Sequence, residues 1–327
     1  MPELYYSKAV NEALDEELAR DKNVVLIGED IGIYGGAFGA TRGLFEIYGA
    51  ERLWETPISE NSFTGLAVGA AMMGMRPVVE IMFMDFIALA LDQLLNSAGK
   101  LHYMYGGQVN VPLVLRTPGG AKGGYGPSHS QMLSNLLVGV PGLKVVAPSN
   151  AMQVKGILKA AIRDDNPVVV IENKRLYPQK GIVPEGDYTL PLDKAVVFPS
   201  KLAPTLTLAS YSSMTPVCLA VQQAYEKAGI GIEVVDLVSL QPLDTATVFA
   251  SLRKTGRIVI AEEACLTGGV GAELSALIAE HCLDALEAPI ARVAAKDLPI
   301  PSSLAMEKMI LPQPDDVVKA VKKTLDY

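Results

Sequence analysis

The sequence is poor in cysteine, in basic runs and in long uncharged stretches, and each shortage removes a class of function. Three cysteines, Cys218, Cys265 and Cys282, stand far apart with no CxxC pair. Neither a disulfide framework nor a zinc site is supported, and reduced thiols in a cytoplasmic setting are expected. The longest nearly uncharged apolar stretch, residues 63–75, spans 13 residues, short of the roughly 20 that a bilayer core requires, so it reads as a buried helix and no membrane partner is expected. The opening MPELYYSKAVNEALDEEL carries no basic flank and no apolar signal core, which argues against secretion. Lysine and arginine number 28 against 36 acidic residues, a net charge of −8, and no basic run could neutralise a row of phosphates. Nucleic acid is therefore not an expected partner. No HExxH, no paired Cys/His spacing and no GxSxG elbow occurs, so metallohydrolase and serine-nucleophile chemistries have no support.

What is present is an α/β pattern long enough for two domains. Half of the 327 residues are hydrophobic and a fifth charged, with 29 glycines and 21 prolines, the composition of a well-buried protein with many tight connections. Apolar β-branched runs alternate with segments of helical period, the pattern of parallel sheets flanked by helices. In the first half, strands are expected in NVVLIGE, RPVVEIMF, VPLVLRT, LKVVAPS and PVVVIEN, with helices near 7–20, 61–75, 86–105 and 151–163. Prolines 184, 191, 199 and 204 then interrupt the period. The expected division is a first domain over 1–185, a linker over 186–204 and a smaller α/β domain over 205–327. In the second domain, TLTLASY, IEVVDLVSL, GRIVIAEEA and PIARVAA are expected as strands.

Candidate chemistry is sparse. Glycines cluster at 32–43, 117–126 and 267–274, without GxGxxG or GK[ST], and glycine alone is equally explained by tight turns. The middle cluster leaves a strand and leads into PSHSQ, placing His129 in a loop at a strand end, where catalytic groups often sit. His102 and His281 lie in helical runs and read as packing or surface residues. IRDDNP at 162–167 is either a helix-ending turn before Pro167 or a cation site built from backbone carbonyls. Glu60, in WETPISENSFTGL, stands at the mouth of a helix rich in Gly and Ala. Ser59 or Asn61 can cap that helix, and an acid in its first turn gains about 0.3–1 kcal/mol from the helix dipole. The small-residue surface equally admits the close approach of another backbone or a flat ligand.

Taken in order, LIGEDIGIYGGAFGATRGLFEIYG, ETPISENSFTGLAVGAAMMGMRPVVEIMFMDF, DQLLNSAGKLHYMYGGQVNVPLVLRTPGG, GPSHSQ, PGLKVVAPSN and AAIRDDNPVVVIENKRLY resemble the beta subunit of the thiamine-diphosphate-dependent 2-oxo acid dehydrogenases. These are the decarboxylating components of the pyruvate, branched-chain and acetoin complexes. The resemblance extends through SYSSMTPVCLA, VVDLVSLQPLD and TGGVGAE, which look like a transketolase-type C-terminal domain. It implies a parallel-sheet pyrimidine-binding domain followed by that smaller domain. It also implies that Glu60 bonds a ring nitrogen of the cofactor's aminopyrimidine and promotes the imino tautomer that deprotonates the thiazolium. Ile58, Met82 and Phe86 would line the aminopyrimidine pocket. His129 would sit at the channel mouth and assist acyl transfer to a lipoyl group. The carbonyls of Leu113, Ala161, Ile162, Asp164 and Asn166 would hold a structural potassium ion.

The family holds the diphosphate and Mg²⁺ through a GDG motif, which this chain lacks. The resemblance therefore implies a shared active site in a heterotetramer of two alpha and two beta subunits. The alpha subunit would hold Mg²⁺, and a lipoyl-bearing dihydrolipoyl acyltransferase would be the further partner. EEACLTGG departs from the EAPRTGG form of many relatives, which bears on docking to that acyltransferase. Pyruvate or acetoin is the expected substrate, because TPGGAKGGYGPSHSQ looks closest to those members. A split transketolase-like enzyme and a non-catalytic assembly subunit are the competing readings.

Overall fold

A computed structural model describes residues 2–327, which form two compact units. The first takes the chain up to Gly119 and then Leu136–Leu192. Its elements are β1 (Glu3–Tyr5), α1 (Tyr6–Arg20), β2 (Val24–Gly28), α2 (Leu44–Tyr48), β3 (Leu53–Glu55), α3 (Glu60–Met72) and β4 (Arg76–Glu80). After them come α4 (Ile87–Asp92), α5 (Gly99–Met104), β5 (Val114–Gly119), α6 (Asn135–Val138), β6 (Lys144–Val146), α7 (Ala151–Arg163), β7 (Val168–Asn173) and β8 (Lys180–Ile182).

Six strands of this unit run parallel in the order β6-β7-β5-β4-β2-β3. β2, β5 and β7 are buried at every position, as strands covered by helices on both faces must be. Of the covering helices, α7 starts where the Asn150 side chain accepts the Gln153 N–H at 2.9 Å, an N-cap that satisfies one of the free amides. It packs on α1 under a ladder of ion pairs, Lys155 with Glu12 at 3.0 Å and Arg163 with Glu17 at 2.6 Å.

Two helices differ from the pattern in the sequence. α3 begins at Glu60 itself and ends at Met72 rather than Met75, because Gly74 turns into the left-handed region at φ +93°. The run over 86–105 is not one α-helix: Ile87–Asp92 passes through a π-helical segment, Gln93–Ala98, into Gly99–Met104.

The second unit comprises Gly120–Asn135 and Asp193–Tyr327. Its elements are β9 (Val196–Phe198), β10 (Pro204–Ser210), α8 (Met214–Lys227), β11 (Gly231–Asp236), β12 (Ser239–Gln241) and α9 (Thr245–Thr255). They continue with β13 (Ile258–Cys265), α10 (Val270–His281), β14 (Ala291–Ala295), α11 (Leu304–Ile310) and α12 (Pro314–Leu325). The five-stranded sheet has the order β14-β13-β10-β11-β9, parallel except for the edge strand β9, which lies in the proline-rich stretch 186–204. IEVVDLVSL is split into β11 and β12 where Val238 adopts φ +50°, an uncommon conformation for a β-branched residue. The core joins Leu206, Leu208, Val234 and Val259 to Met214 and Cys218 of α8 and Val317 and Val321 of α12.

Residues 120–135, whose place in the chain is inside the first domain, pack with the second unit. Ala121 donates its N–H to Glu263 at 2.8 Å, Gly124 to Glu307 at 2.9 Å, and the hydroxyls of Ser134 and Tyr211 meet at 3.0 Å.

Candidate functional site

In the first unit the chain leaves β2 for β3 on one side and then returns through α3 to β4 on the other. The topological switch lies between the carboxyl ends of β2 and β4, where open α/β sheets leave a crevice for ligands. Glu29 follows β2, Glu80 ends β4, Met82 follows β4, and the connecting helix α3 opens on Glu60.

Glu60 is only 5% exposed, and its carboxyl has no hydrogen-bond partner among the described residues. The capping explanation offered by its position is not what the structure contains. Ser59 turns its hydroxyl onto the Pro57 carbonyl at 2.9 Å, and the Asn61 amide oxygen accepts from Gln93 Nε2 at 2.9 Å. Glu60 thus stands at the positive end of the α3 dipole with unfilled acceptors. Glu29 faces it from the end of β2. Burial and the charge of Glu60 push the Glu29 carboxyl above its ordinary pKa, although the Ser59 N–H stabilises its ionised form. Oε1 of Glu29 is buried without a partner, as are the hydroxyls of Thr56 and of Thr64, one turn beyond Glu60 on α3. Buried polar atoms of this kind are rare in folded proteins unless something else is meant to meet them.

The side chains around this pair divide by exposure. Ile58 is 83% exposed, while Met82 and Phe86 are half-buried. Phe86 meets Phe83 edge to face at 6.3 Å, and Phe83 meets Phe38 in the same manner at 5.4 Å. Phe38 in turn packs on Tyr177 at 5.3 Å, and the buried ammonium of Lys174 lies 5.2 Å from the Phe83 ring centre. α3 packs against β2, β4 and α4, and the Asn61–Gln93 bond fixes its first turn to the helical run that follows Phe86. Glu60, Met82 and Phe86 thus stand on segments that begin or follow the elements at one switch point, while His129 belongs to the other unit. There it is half-buried in its loop, with Nδ1 3.0 Å from the Ser128 hydroxyl. His102 and His281 are exposed.

Beneath the crevice lies a buried ion cluster that the strand patterns did not disclose as a unit. Arg116 reaches Glu172 through Nε and Nη2, both at 2.7 Å, and pairs with Glu80 through Nη1. The Tyr177 hydroxyl donates to Glu172 as well. Burial raises the Glu80 carboxyl even beside Arg116. Burial also opposes the charge on Arg116, but Glu172 and Glu80 outweigh it and raise its pKa well above the ordinary value. The legible signal was a charged residue near the carboxyl end of three otherwise apolar strands, VVE, VLR and VIE. Glu29 and Lys174 were also missed, because single charges in LIGED and IENK look like turn residues.

The carbonyls read as a cation site sit at the end of α7 and before β5. Arg76 donates Nε to the Ile162 carbonyl at 2.8 Å and Nη2 to those of Arg163 and Asp164 at 2.7 and 3.1 Å. The Leu113 carbonyl accepts from Val168 N–H at 2.9 Å, and that of Ala161 from Asp164 N–H at 3.2 Å. The Asp164 carboxylate is held by Lys144 and by the Asn166 amide. Each carbonyl oxygen keeps a second lone pair, so a monovalent cation fits only as a neighbour of the Arg76 guanidinium. Among the described residues no cluster of His, Cys, Asp and Glu suits a metal, and no helix is long and apolar enough to cross a membrane.

The third glycine cluster has a steric cause. The Gly271 N–H reaches buried Glu262 at 2.9 Å, and a Cβ on Gly271 would stand 2.7 Å from that carboxylate.

Comparison with known proteins places these features among relatives. Residues 3–180 match the family described as transketolase, pyrimidine binding domain, and residues 196–317 the transketolase C-terminal domain. The chain is 44% identical over 325 residues to the mitochondrial pyruvate dehydrogenase E1 component subunit beta-2 of Oryza sativa subsp. japonica, covering 98% of this chain and 86% of the relative. It is 43% identical over 327 residues to the pyruvate dehydrogenase E1 component subunit beta of Cyanidium caldarium, covering 100% and 99%. A solved split-gene transketolase, described as an inactive beta4 tetramer, superposes with a TM-score of 0.80 over 99% of this chain and 98% of that one, at 24% identity.

Proposed function

The chain belongs to the family of pyruvate dehydrogenase E1 component beta subunits, with transketolase pyrimidine-binding and C-terminal domains, and from that premise we propose that it is the beta subunit of a heterotetrameric 2-oxo acid or acetoin dehydrogenase. The single observation that carries the reading is Glu60, buried and without a partner at the start of α3. Bound thiamine diphosphate supplies the electron sink for cleavage beside a carbonyl carbon. Glu60 contributes a proton-sharing acceptor for a ring nitrogen of the aminopyrimidine, in a site dry enough to make that bond strong. The pKa of its neighbour Glu29 is raised by burial and by the charge of Glu60, which favours a proton held beside Glu60. Ile58, Met82 and Phe86 supply apolar surface for the flat ring, and the Phe83–Phe38–Tyr177 stack backs Phe86.

His129 is assigned to assisting transfer of the acyl group to a lipoyl group on the dihydrolipoyl acyltransferase. The alpha subunit is assigned the diphosphate and Mg²⁺, because this chain has no GDG motif. A potassium ion is proposed at the carbonyls of Leu113, Ala161, Ile162, Asp164 and Asn166, beside Arg76. The test is reconstitution. The purified chain is expected to be inert alone and to turn over pyruvate or acetoin with a GDG-bearing alpha subunit, thiamine diphosphate and Mg²⁺. Turnover by the isolated chain, or ketol transfer between sugar phosphates by the pair, would refute the reading.

A further inference from the structure

The second unit has a crevice of its own. Its chain passes from β10 to β11 on one side and then to β13 on the other, so the switch falls between the carboxyl ends of β10 and β13, a general location for small-molecule sites. On the β13 side of that switch, a cavity of about 530 Å³ opens at the carboxyl ends of β13 and β14. Met132 and Leu133 line it from the 120–135 segment, Ile300 from beyond β14, and Glu263 from the end of β13. Its size and mainly apolar lining suit a small organic ligand.

The charges at the cavity are unequally committed. Glu263 already accepts the Ala121 N–H and the Ser213 hydroxyl. Asp297 accepts the N–H of Thr267 at 3.0 Å and its hydroxyl at 2.6 Å. Lys296, which also lines the cavity, is exposed and its ammonium pairs with no carboxylate among the described residues. The uncommitted hydrogen-bonding charge is therefore cationic, next to apolar walls.

We propose that this cavity binds a monocarboxylate with an apolar body, its carboxylate paired with Lys296 and its body against Met132, Leu133 and Ile300. The segment that forms one wall, 127–133, also carries His129, so an occupant braces the loop on which that histidine is mounted. All its lining residues belong to the second unit, and its existence does not depend on the function proposed for the Glu60 crevice.

Calorimetric titration of the full chain with octanoate, and with octanol as the uncharged control, tests it. Saturable octanoate binding is expected, with slowed amide hydrogen exchange over 127–133. Lys296→Glu, an exposed change that leaves the melting temperature unaltered, is expected to weaken binding about tenfold by replacing an attraction with a repulsion. Leu133→Trp, which fills the cavity, is expected to do the same. No saturable binding, equal affinity for octanol, equal affinity in both variants, or exchange protection only outside 127–133 would each overturn the proposal.

Discussion

Glu29 and Glu60 oppose each other across the junction of β2 and α3: burial, and then the charge of Glu60, raises the pKa of Glu29, while the Ser59 N–H favours its ionised form. A crevice arranged this way favours a proton on Glu29, next to the unpartnered carboxyl of Glu60. That is a useful property in a site whose proposed task is to pass hydrogen to a heterocycle.

Glu60→Gln is therefore expected to lower turnover of the reconstituted pair by roughly 100- to 10,000-fold, the range of a lost general acid–base group. Glutamine preserves size and hydrogen bonding, so assembly with the alpha subunit, followed by analytical ultracentrifugation, should be unchanged. Wild-type turnover in this variant would remove Glu60 from the chemistry.

Glu29 has a thermodynamic signature of its own. Its folded pKa lies above the ordinary 4.5, so the folded protein binds the Glu29 proton more tightly than the unfolded chain does. Stability from this group is complete below about pH 4.5 and declines as pH rises toward the folded value. Glu29→Gln removes the penalty, and its melting temperature should exceed that of the parent at pH 8 by more than at pH 4.5. A difference independent of pH would show that the surroundings of Glu29 do not raise its pKa.

How far these features were readable from the sequence follows from what kind of signal each one leaves. Strands such as VVLIG and VVVIEN announce themselves because burial on both faces demands continuous β-branched residues. The switch point follows once strand order is known, and strand order is a product of tertiary packing that local periodicity does not encode. Glu60 was legible as an acid beside a small-residue helix, but its missing cap was not, since Ser and Asn on either side offered capping groups that fold elsewhere. The π-helical segment at Gln93–Ala98 has ordinary helical composition. The allegiance of residues 120–135 to the second unit rests on long-range bonds to Glu263 and Glu307, which no local pattern records.

The Arg116 cluster should be intolerant of partial loss. Arg116→Met leaves Glu80 and Glu172 buried without their counter-charge and is expected to cost about 3–5 kcal/mol of unfolding free energy. Glu80→Gln, which keeps the Arg116–Glu172 fork and removes only a carboxyl already resistant to ionisation, should cost far less. Denaturant titration of both variants decides it, and equal losses would show that Glu80 carries as much of the cluster as Glu172.

His129→Ala tests the acyl-transfer role proposed for that histidine. Removing the imidazole is expected to slow acylation of a lipoyl domain by roughly 100-fold or more, while decarboxylation assayed with an artificial electron acceptor falls much less. Equal losses in the two assays would place His129 in a step common to both and dismiss its assignment to acyl transfer.

Arg76 offers a test of the proposed potassium site that does not depend on activity. Its guanidinium satisfies the carbonyls of Ile162, Arg163 and Asp164. Arg76→Gln therefore exposes acceptors that cost about 1–3 kcal/mol each when buried and unpaired. A cation bound at the same turn compensates part of that loss, because carbonyl oxygens that lose one partner coordinate the remaining one more fully. The melting temperature of Arg76→Gln should accordingly rise more in KCl than in an equal concentration of choline chloride, and by a larger increment than in the parent. If potassium and choline act alike on both proteins, the turn is held by arginine alone, and the carbonyl set of Leu113, Ala161, Ile162, Asp164 and Asn166 has no inorganic tenant.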